Sequence, residues 1–494
     1  MKKIFNLIKV IFLITSIILS ICLTIKLVNL DMIPNKYLRL GIIGEIVINL
    51  IILLFYIPKK KVFNIIGIVL STIIIFISVF GIIHIDKISN ILNKAFDNHK
   101  AEITNYSVVV LKNSYEKIDD LSGKIIGYAV SNIEDDSYMK ELKTNEAIKF
   151  KEYKNSYELY LALLKKEVDA AVLNDVYIDF LKEEEKDFED KTSIISNFKS
   201  LKEVKKIEVP IEEIEPEKKE EKKEEKKENE NQIKPFNIVI SGSDSRTSLD
   251  AKIRSDVNMI VTVNPSKRTI LLTSIPRDTY VQIYGTEGYK DKLTHSGMFG
   301  LYTTKATIEN LLKIRINYSL KLGFAYTIKV IDLIGGVDVY SDMAFTTHLG
   351  NGGAKRVTMK VGMNHLTGAE ALSYVRERYA YSDGDFHRIK NQQDVLEAIM
   401  KKLFTNKELL TNYEEILNSM VSLYVTDIPN DLVKQLVKSQ LENPKSWKIE
   451  KQSLTATGLT TQETYSFPGK DQYVAIPDEA SITSCRNRIN SLLK

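Results

Sequence analysis

The sequence predicts three N-terminal transmembrane helices, then a small α/β domain, then a larger α/β domain with a mixed central sheet flanked by helices. Three observations carry this. The first 85 residues are almost solidly Ile, Leu, Val and Phe; from Ala101 onward short β-branched runs alternate with helical patterns; and residues 212–230 hold ten Glu and six Lys in 19 positions, dividing the chain. The 494 residues carry 68 Lys and Arg against 64 Asp and Glu, a net charge of +4, so the general basic excess of a nucleic-acid binder is missing. Only Cys22 and Cys485 occur, which excludes a disulfide framework and a cysteine-rich metal site.

Crossing a bilayer takes about 20 mainly apolar residues. Ile4 to Ile25, Leu40 to Ile57 and Val62 to Ile85 meet or approach this, which predicts a three-span anchor over 1–90, with Lys9 and Lys26 placed to snorkel to the interface. A signal peptide is the competing reading of the first run, but no small-x-small cleavage site follows it. Lys2 and Lys3 before the first span and Lys59, Lys60 and Lys61 between the second and third predict a cytoplasmic location for both clusters. Everything after Ile85 is then expected on the extracellular face, in spite of Lys36 and Arg39 in the first loop. Glu45 within the second span is a functional candidate because an intramembrane carboxylate is costly; near the outer end, it can also pair with Arg39 or Lys36.

Over 100–205, Ser107–Leu111, Lys124–Val130 and Asp169–Leu173 read as strands, and Ser156–Lys166 as a helix with Ser156 at its N-cap. The phrases Ile118–Gly127 and Glu167–Asp175 resemble a lobe of extracytoplasmic solute-binding proteins, which implies a lobe-like accessory domain and leaves open whether it takes a ligand. The block within 206–234 has no apolar face and reads as a spacer, either a helix held by Glu–Lys pairs four apart or an extended polyampholyte.

The segment 235–494 carries the chemistry. A strand, Phe236–Ile240, runs into Ser241-Gly-Ser-Asp-Ser-Arg246, and ligands of α/β sheets bind at such strand ends. Arg254-Ser-Asp256 opens a second strand, Val257–Val263. A third, Thr269–Ser274, ends in Ile275-Pro-Arg277-Asp278. Thr367-Gly-Ala-Glu370 reads as a capping box starting a helix that ends in Arg376-Glu-Arg378. Gly384-Asp385-Phe-His-Arg388 then leads into a helix bearing Gln392 and Gln393, with Arg388 and Gln392 four apart on one face. Converging guanidinium groups suit a diphosphate and paired carboxylates suit a hard divalent ion, so the set reads as a magnesium pyrophosphate site. Asp and Arg at strand ends also form ordinary surface ion pairs worth under about 1 kcal/mol, and spacing alone leaves the two readings level.

These motifs, together with Leu333-Ile-Gly-Gly-Val-Asp338 and Leu366–Leu372 and in this order over roughly 235–405, resemble the LytR-CpsA-Psr family. The resemblance implies a phosphotransferase, a transferase of phosphorus-containing groups. It would move an anionic glycopolymer, such as a teichoic acid or capsular polysaccharide, from a polyprenyl-pyrophosphate carrier to peptidoglycan of a Gram-positive cell wall. It further implies that Asp244 and Asp256 hold Mg²⁺ (or Mn²⁺). Arg246, Arg277, Arg376, Arg378 and Arg388, with Gln392, would bind the pyrophosphate, and Asp278 or Asp385 would orient side chains or deprotonate the acceptor. The expected partners are the lipid-linked polymer, peptidoglycan and the membrane, with no nucleic acid.

Two positions depart from the family pattern. His387 stands where glycine is usual, and Asn391 where an arginine is common, so one phosphate contact is lost or replaced. His387 is either a proton carrier or a solvated loop residue; His295, His348 and His365 lack metal-ligand spacing and read as structural. Residues 406–494 are expected to complete the catalytic domain. Two other readings use the same groups: a membrane sensor or regulatory protein that binds a phosphorylated lipid or solute and catalyses nothing, and a lipid pyrophosphatase that passes phosphate to water.

Overall fold

The computed structural model describes residues 2–58, 60–96, 98, 101–129, 148–203, 233–243, 251–348, 355–382, 384–405 and 424–494. Asp244 and Arg246, most of the charged spacer and residues 406–423 lie outside them. The chain forms two compact units, one of Met1–Asp97 with Ile428–Ser446, the other of Asn98–Asp427 with Trp447–Lys494. Of the residues after 406, those at 428–446 thus pack with the membrane helices.

In the first unit, α1 (Lys2–Leu30), α2 (Asn35–Tyr56) and α3 (Lys61–Ala95) are each long and apolar enough to cross a membrane, and they anchor the protein there. Their Ile, Leu, Val and Phe side chains face outward while Ser16, Ser20, Asn64, Ser71 and Ser78 are buried. That inversion is what a lipid solvent dictates, because polar groups must find partners inside the bundle. Asn49 Nδ2 donates to Ser20 Oγ at 3.3 Å, and the Tyr56 and Ser71 hydroxyls meet at 3.1 Å. Glu45 accepts from the Thr24 hydroxyl of α1, so its partner is neither Arg39 nor Lys36 but a neighbour across the bundle. Lys9 does not snorkel; its ammonium donates to Tyr56 O and Asn64 Oδ1 on the other helices. Lys26 pairs with Asp86. The helix Asn430–Glu442 joins this unit through Lys438 to Asp31 (2.6 Å) and Asn430 to Asn93 (2.6 Å).

The second unit is built on two large sheets, with four two-stranded ribbons beside them among the described residues. β1 (Ala101–Leu111), β2 (Ile125–Ala129), β3 (Lys149–Tyr153), β4 (Ala170–Asn174) and β5 (Thr192–Glu203) build the first, in the order β3-β2-β4-β1-β5. Between its strands run α4 (Ser156–Leu164) and α5 (Asp175–Glu184). The N-cap of α4 is Asn155, whose Oδ1 accepts from Glu158 N at 2.8 Å; Ser156 is its first helical residue, one position from the expectation. The second sheet comprises β6 (Phe236–Ser243), β7 (Val257–Asn264), β8 (Thr269–Ile275), β9 (Tyr318–Gly323), β10 (Tyr424–Thr426) and β11 (Lys448–Ser453), in the order β10-β9-β6-β7-β8-β11. It is mixed: β6, β7 and β8 alternate in direction, while β9 runs parallel to β6 and β11 parallel to β8. Helices α6 (Leu301–Leu312), α7 (Phe324–Leu333), α8 (Gly368–Arg376), α9 (Asp385–Thr405) and α10 (Glu479–Leu493) flank it.

The charged spacer divides two sheets but not two bodies. Phe467, fully buried, enters the core of the first sheet's layer and meets Tyr157 edge-on at 4.8 Å and Phe180 at 4.5 Å. The Tyr177 hydroxyl donates to Ser466 O, and Lys470 pairs with Glu185 at 2.8 Å. Aromatic side chains buried in this way each remove about 150–250 Å² from water, which favours joining the two layers.

Candidate functional site

The strand registers bring the expected motifs to one edge. Gly242 lies opposite Val257 and Asn258 opposite Ile275, so the end of β6, the start of β7 and the end of β8 coincide; the parallel register puts Gly323, just before α7, beside Ser243. Gly242 is required there, because a Cβ would stand 2.8 Å from Val257 Cβ. The Asp256 amide donates to Gly242 O at 2.8 Å, and the Ser241 and Ser255 hydroxyls join at 2.7 Å, which fixes the two strand ends together.

On this edge Arg277 Nη1 donates to Asp256 Oδ1 at 2.9 Å and Arg277 Nε lies 3.8 Å from Asp278 Oδ2. Arg388 comes from the first turn of α9 and holds Asp385, its neighbour three residues back, at 2.8 and 3.0 Å. That turn depends on Gly384, whose φ of +53° favours glycine and whose carbonyl accepts from Arg388 N at 3.2 Å. The groups form one field. Burial alone would weaken the protonation of Arg277, but Asp256, Asp278 and Asp385 outweigh it and strengthen its hold on the proton. Burial dominates at Arg388 and pushes it down, against Asp385 and together with Arg277. The five residues Asp256, Arg277, Asp278, Asp385 and Arg388 thus share one pocket of charge.

It is incompletely paired. Arg277 Nε, Arg388 Nε and Ser243 Oγ are buried without a hydrogen-bond partner among the described residues, and Asp256 Oδ2 accepts from none of them. Buried polar atoms left over in this way mark strain or a place for further ligand atoms. As for a hard divalent ion, Asp256 Oδ2 is a chemically suitable oxygen, and Mg²⁺ binds through one or two carboxylates while keeping several waters, so the residues fit such an ion. No group of three or more His, Cys, Asp or Glu side chains placed for a metal occurs among the described residues.

The other expected residues divide. Arg254 is held from another side: its Nη1 and Nη2 grip Glu183 of α5 at 2.6 and 2.8 Å, because the packing of the first sheet's layer puts a carboxylate beside it, while Asp256 and Arg277 still act on its charge. Arg376 lies over the Phe324 ring at 5.0 Å, and Arg378 over Tyr379 at 5.0 Å, donating to its hydroxyl at 3.0 Å. Gln392 is half-buried one turn past Arg388, whereas Gln393 is an anchor, donating to Ser274 Oγ (2.9 Å) and Gln452 O (2.7 Å). Asn391 is buried and donates to Tyr374 O and Tyr381 OH, both at 3.1 Å. His387 is not merely solvated; it stacks on Tyr381 at 3.5 Å. His295, His348 and His365 each pair with a carboxylate, of Asp291, Glu377 and Asp338. The sequence reading passed over Glu377. Burial would raise its pKa, but the amides of His348, Ala380 and Tyr379 and the His348 ring hold it below the usual carboxylate range, so it shapes the turn after α8. The charge flanked by two arginines in Arg376-Glu-Arg378 was the available signal.

Fold and site together define a membrane-anchored protein with an arginine–carboxylate cluster at the edge of a mixed α/β sheet. The model of the LytR_cpsA_psr family matches residues 201–481, more than half of the chain, and the protein belongs to this family. It is 34% identical over 220 residues to a Bacillus cereus (strain ATCC 14579) protein named polyisoprenyl-teichoic acid–peptidoglycan teichoic acid transferase TagU, covering 44% of this chain and 69% of that one. A Bacillus anthracis (strain CDC 684) TagU is 35% identical over 207 residues, covering 42% of this chain and 65% of that one, slightly under two thirds of its length. Among solved structures, B. subtilis TagV is similar with 29% identity, 53% of this chain and 97% of that one covered, and a TM-score of 0.43.

Proposed function

We propose that this protein transfers a teichoic-acid-like glycopolymer from a polyisoprenyl-pyrophosphate carrier to peptidoglycan, on the extracellular face of the membrane. The observation that carries the reading is the incompletely paired Asp256–Arg277–Asp278–Asp385–Arg388 cluster, in a chain whose relatives bear that activity in their names. An acceptor hydroxyl oxygen attacks the polymer-linked phosphorus. The phosphorus–oxygen bond to the lipid phosphate breaks, lipid monophosphate leaves, and a phosphodiester remains. Arg277 and Arg388 bind the non-bridging oxygens, taking up charge as it moves towards the leaving group, and their preset positions supply most of the catalysis. Asp385 holds Arg388 in place. Asp278, with its carboxylate 3.8 Å from Arg277 Nε, would accept the hydroxyl proton in this reading. Asp256, with Asp244, would hold Mg²⁺ or Mn²⁺, which when bound neutralises pyrophosphate charge. The lysines at 2, 3 and 59–61 support the outward orientation.

The test uses the full-length protein in detergent with a lipid-pyrophosphate saccharide, peptidoglycan fragments and Mg²⁺. The expected result is release of lipid phosphate together with labelled peptidoglycan. Release without labelling turns the reading into a pyrophosphatase, and no release, with Arg277→Ala fully functional in cells, turns it into a sensor.

A further inference from the structure

One helix of the chain has an apolar side that its own unit leaves partly open. Leu432, Val433, Leu436, Val437 and Leu441 fall on one side of the helix Asn430–Glu442, while Asp431, Lys434, Lys438 and Glu442 fall on the other. That is the pattern of a helix with an apolar medium to meet. Yet none of its residues is buried, and Leu441 is 48% exposed. In the second unit, by contrast, α5 buries Tyr177, Ile178, Phe180 and Leu181, and α10 buries Ile482, Cys485 and Ile489. The helix joins β10 to β11, and a connection that only crossed water would need no apolar side at all.

Its contacts fix its level. Lys26 of α1 pairs with Asp86 of α3, which puts these two residues at one height, where the charge-free stretches of both helices end. Asp31 and Asn93 lie further along the same two segments, roughly 7 and 10 Å beyond that pair at about 1.5 Å per residue. These are the residues that the helix holds: Lys438 donates to Asp31 at 2.6 Å and Asn430 Nδ2 to Asn93 Oδ1 at 2.6 Å. The two grips are about 12 Å apart along its axis and differ by only about 3 Å in height, so it lies close to flat across the ends of α1 and α3. The headgroup layer extends about 5–7 Å beyond the hydrocarbon on each side, and a helix is about 10 Å across, which sets this one in that layer. Tyr37, 56% exposed in the first turn of α2, is at the same end, where aromatic side chains anchor at the interface. Both grips use the polar flank, since Asn430 and Lys438 share a stripe with Lys434, and the apolar side is turned elsewhere. We propose that this side is seated in the bilayer surface at the α1–α2 loop, so that the protein holds the membrane through an interfacial helix as well as three spans. Lys434 is paired with Asp431 at 3.2 Å and Lys438 with Asp31, so apolar insertion, not attraction to anionic headgroups, drives the contact.

The experiment measures depth, without turnover, on the full-length protein in lipid nanodiscs loaded with a single copy each. Cys22→Ala and Cys485→Ala clear the background. An environment-sensitive fluorophore is then attached through Leu441→Cys or Val433→Cys on the apolar side, or through Gln435→Cys on the polar side. Leu441 and Gln435 are already exposed, so labels there leave the packing intact, and thermal melts check Val433→Cys. Lipids carrying a nitroxide near the headgroup should quench the labels at 441 and 433 about threefold more than the one at 435, with a blue-shifted emission and protection from aqueous iodide. The quenching should stay the same when anionic lipid is replaced by zwitterionic lipid. If iodide reaches all three labels alike and the lipid nitroxide singles out none, water covers the apolar side and the proposal fails. Shielding from both quenchers would show that protein covers it, which overturns the proposal as well. Loss of quenching in zwitterionic discs would make the contact one of charge and overturn the apolar seat.

Discussion

Two charged clusters in the α/β unit are built from the same kinds of group and differ in closure. Asp291 and His295, both buried, meet at 2.7 Å; the second Asp291 oxygen accepts from Ser466 N at 2.8 Å, the first also from Lys292 N at 2.7 Å, and the Phe180 ring covers the histidine at 4.5 Å. Every carboxylate oxygen is used and water is excluded. The cluster of Asp256, Arg277, Asp278, Asp385 and Arg388 is partly exposed, and the buried Nε atoms of Arg277 and Arg388 have no hydrogen-bond partner among the described residues. The first arrangement fastens the two sheet layers to each other. The second has binding capacity to spare, and a closed pair and an open one can therefore be told apart by their leftover valences rather than by their residue types.

The comparison can be broken most directly at Arg277. Its replacement by Ala should lower transfer about 10²–10³-fold, the effect of deleting one preset donor to transition-state charge, while the urea midpoint stays near wild type. An equal loss of stability and activity would make the open cluster structural. At the closed pair the reverse is expected: Asp291→Ala leaves a buried histidine uncompensated and should cost about 3–5 kcal/mol in urea unfolding. A marginal cost there would mean that the layers are held by Phe467 and its neighbours alone.

A finer contrast comes from acid. Burial would raise the Asp291 carboxyl, but His295 and the Ser466 and Lys292 amides outweigh it and hold it below the usual range. A folded pKa below the unfolded value of about 3.9 means that the native state binds its proton less readily, so Asp291 stabilises above pH about 4 and this contribution fades as pH falls through its folded value. Between pH 5 and 3 the urea midpoint of wild type should fall more steeply than that of Asp291→Asn; parallel curves would refute the assignment. The smallest effect belongs to Arg254→Ala, whose pair with Glu183 is half exposed and should contribute under about 1 kcal/mol by the same unfolding measurement, with transfer changed little.

Much of the site was legible because its groups sit in strand-end and helix-start motifs whose register follows from alternation: β6, β7, β8 and the capping box at Thr367 and Glu370 lie where the pattern puts them. The partner of Arg254 was not legible, because spacing along the chain gives its distance from Asp256 but not the Glu183 that another layer brings to it. Gln393 likewise looks like Gln392 in sequence, and only the packing of α9 against β8 and β11 separates the anchor from its half-buried neighbour.

By itself the sequence determined what hydropathy, charge and local motif encode: three apolar spans, the strands and helices, and the family to which the chain belongs. Tertiary structure decided the pairings across distance. It set Glu45 against Thr24, merged two α/β layers through Phe467 and drew 428–446 to the membrane helices. The physical reason is one of range: propensity and periodicity act over a few residues, whereas desolvation and pairing depend on which side chains meet, and that is fixed only when the layers close.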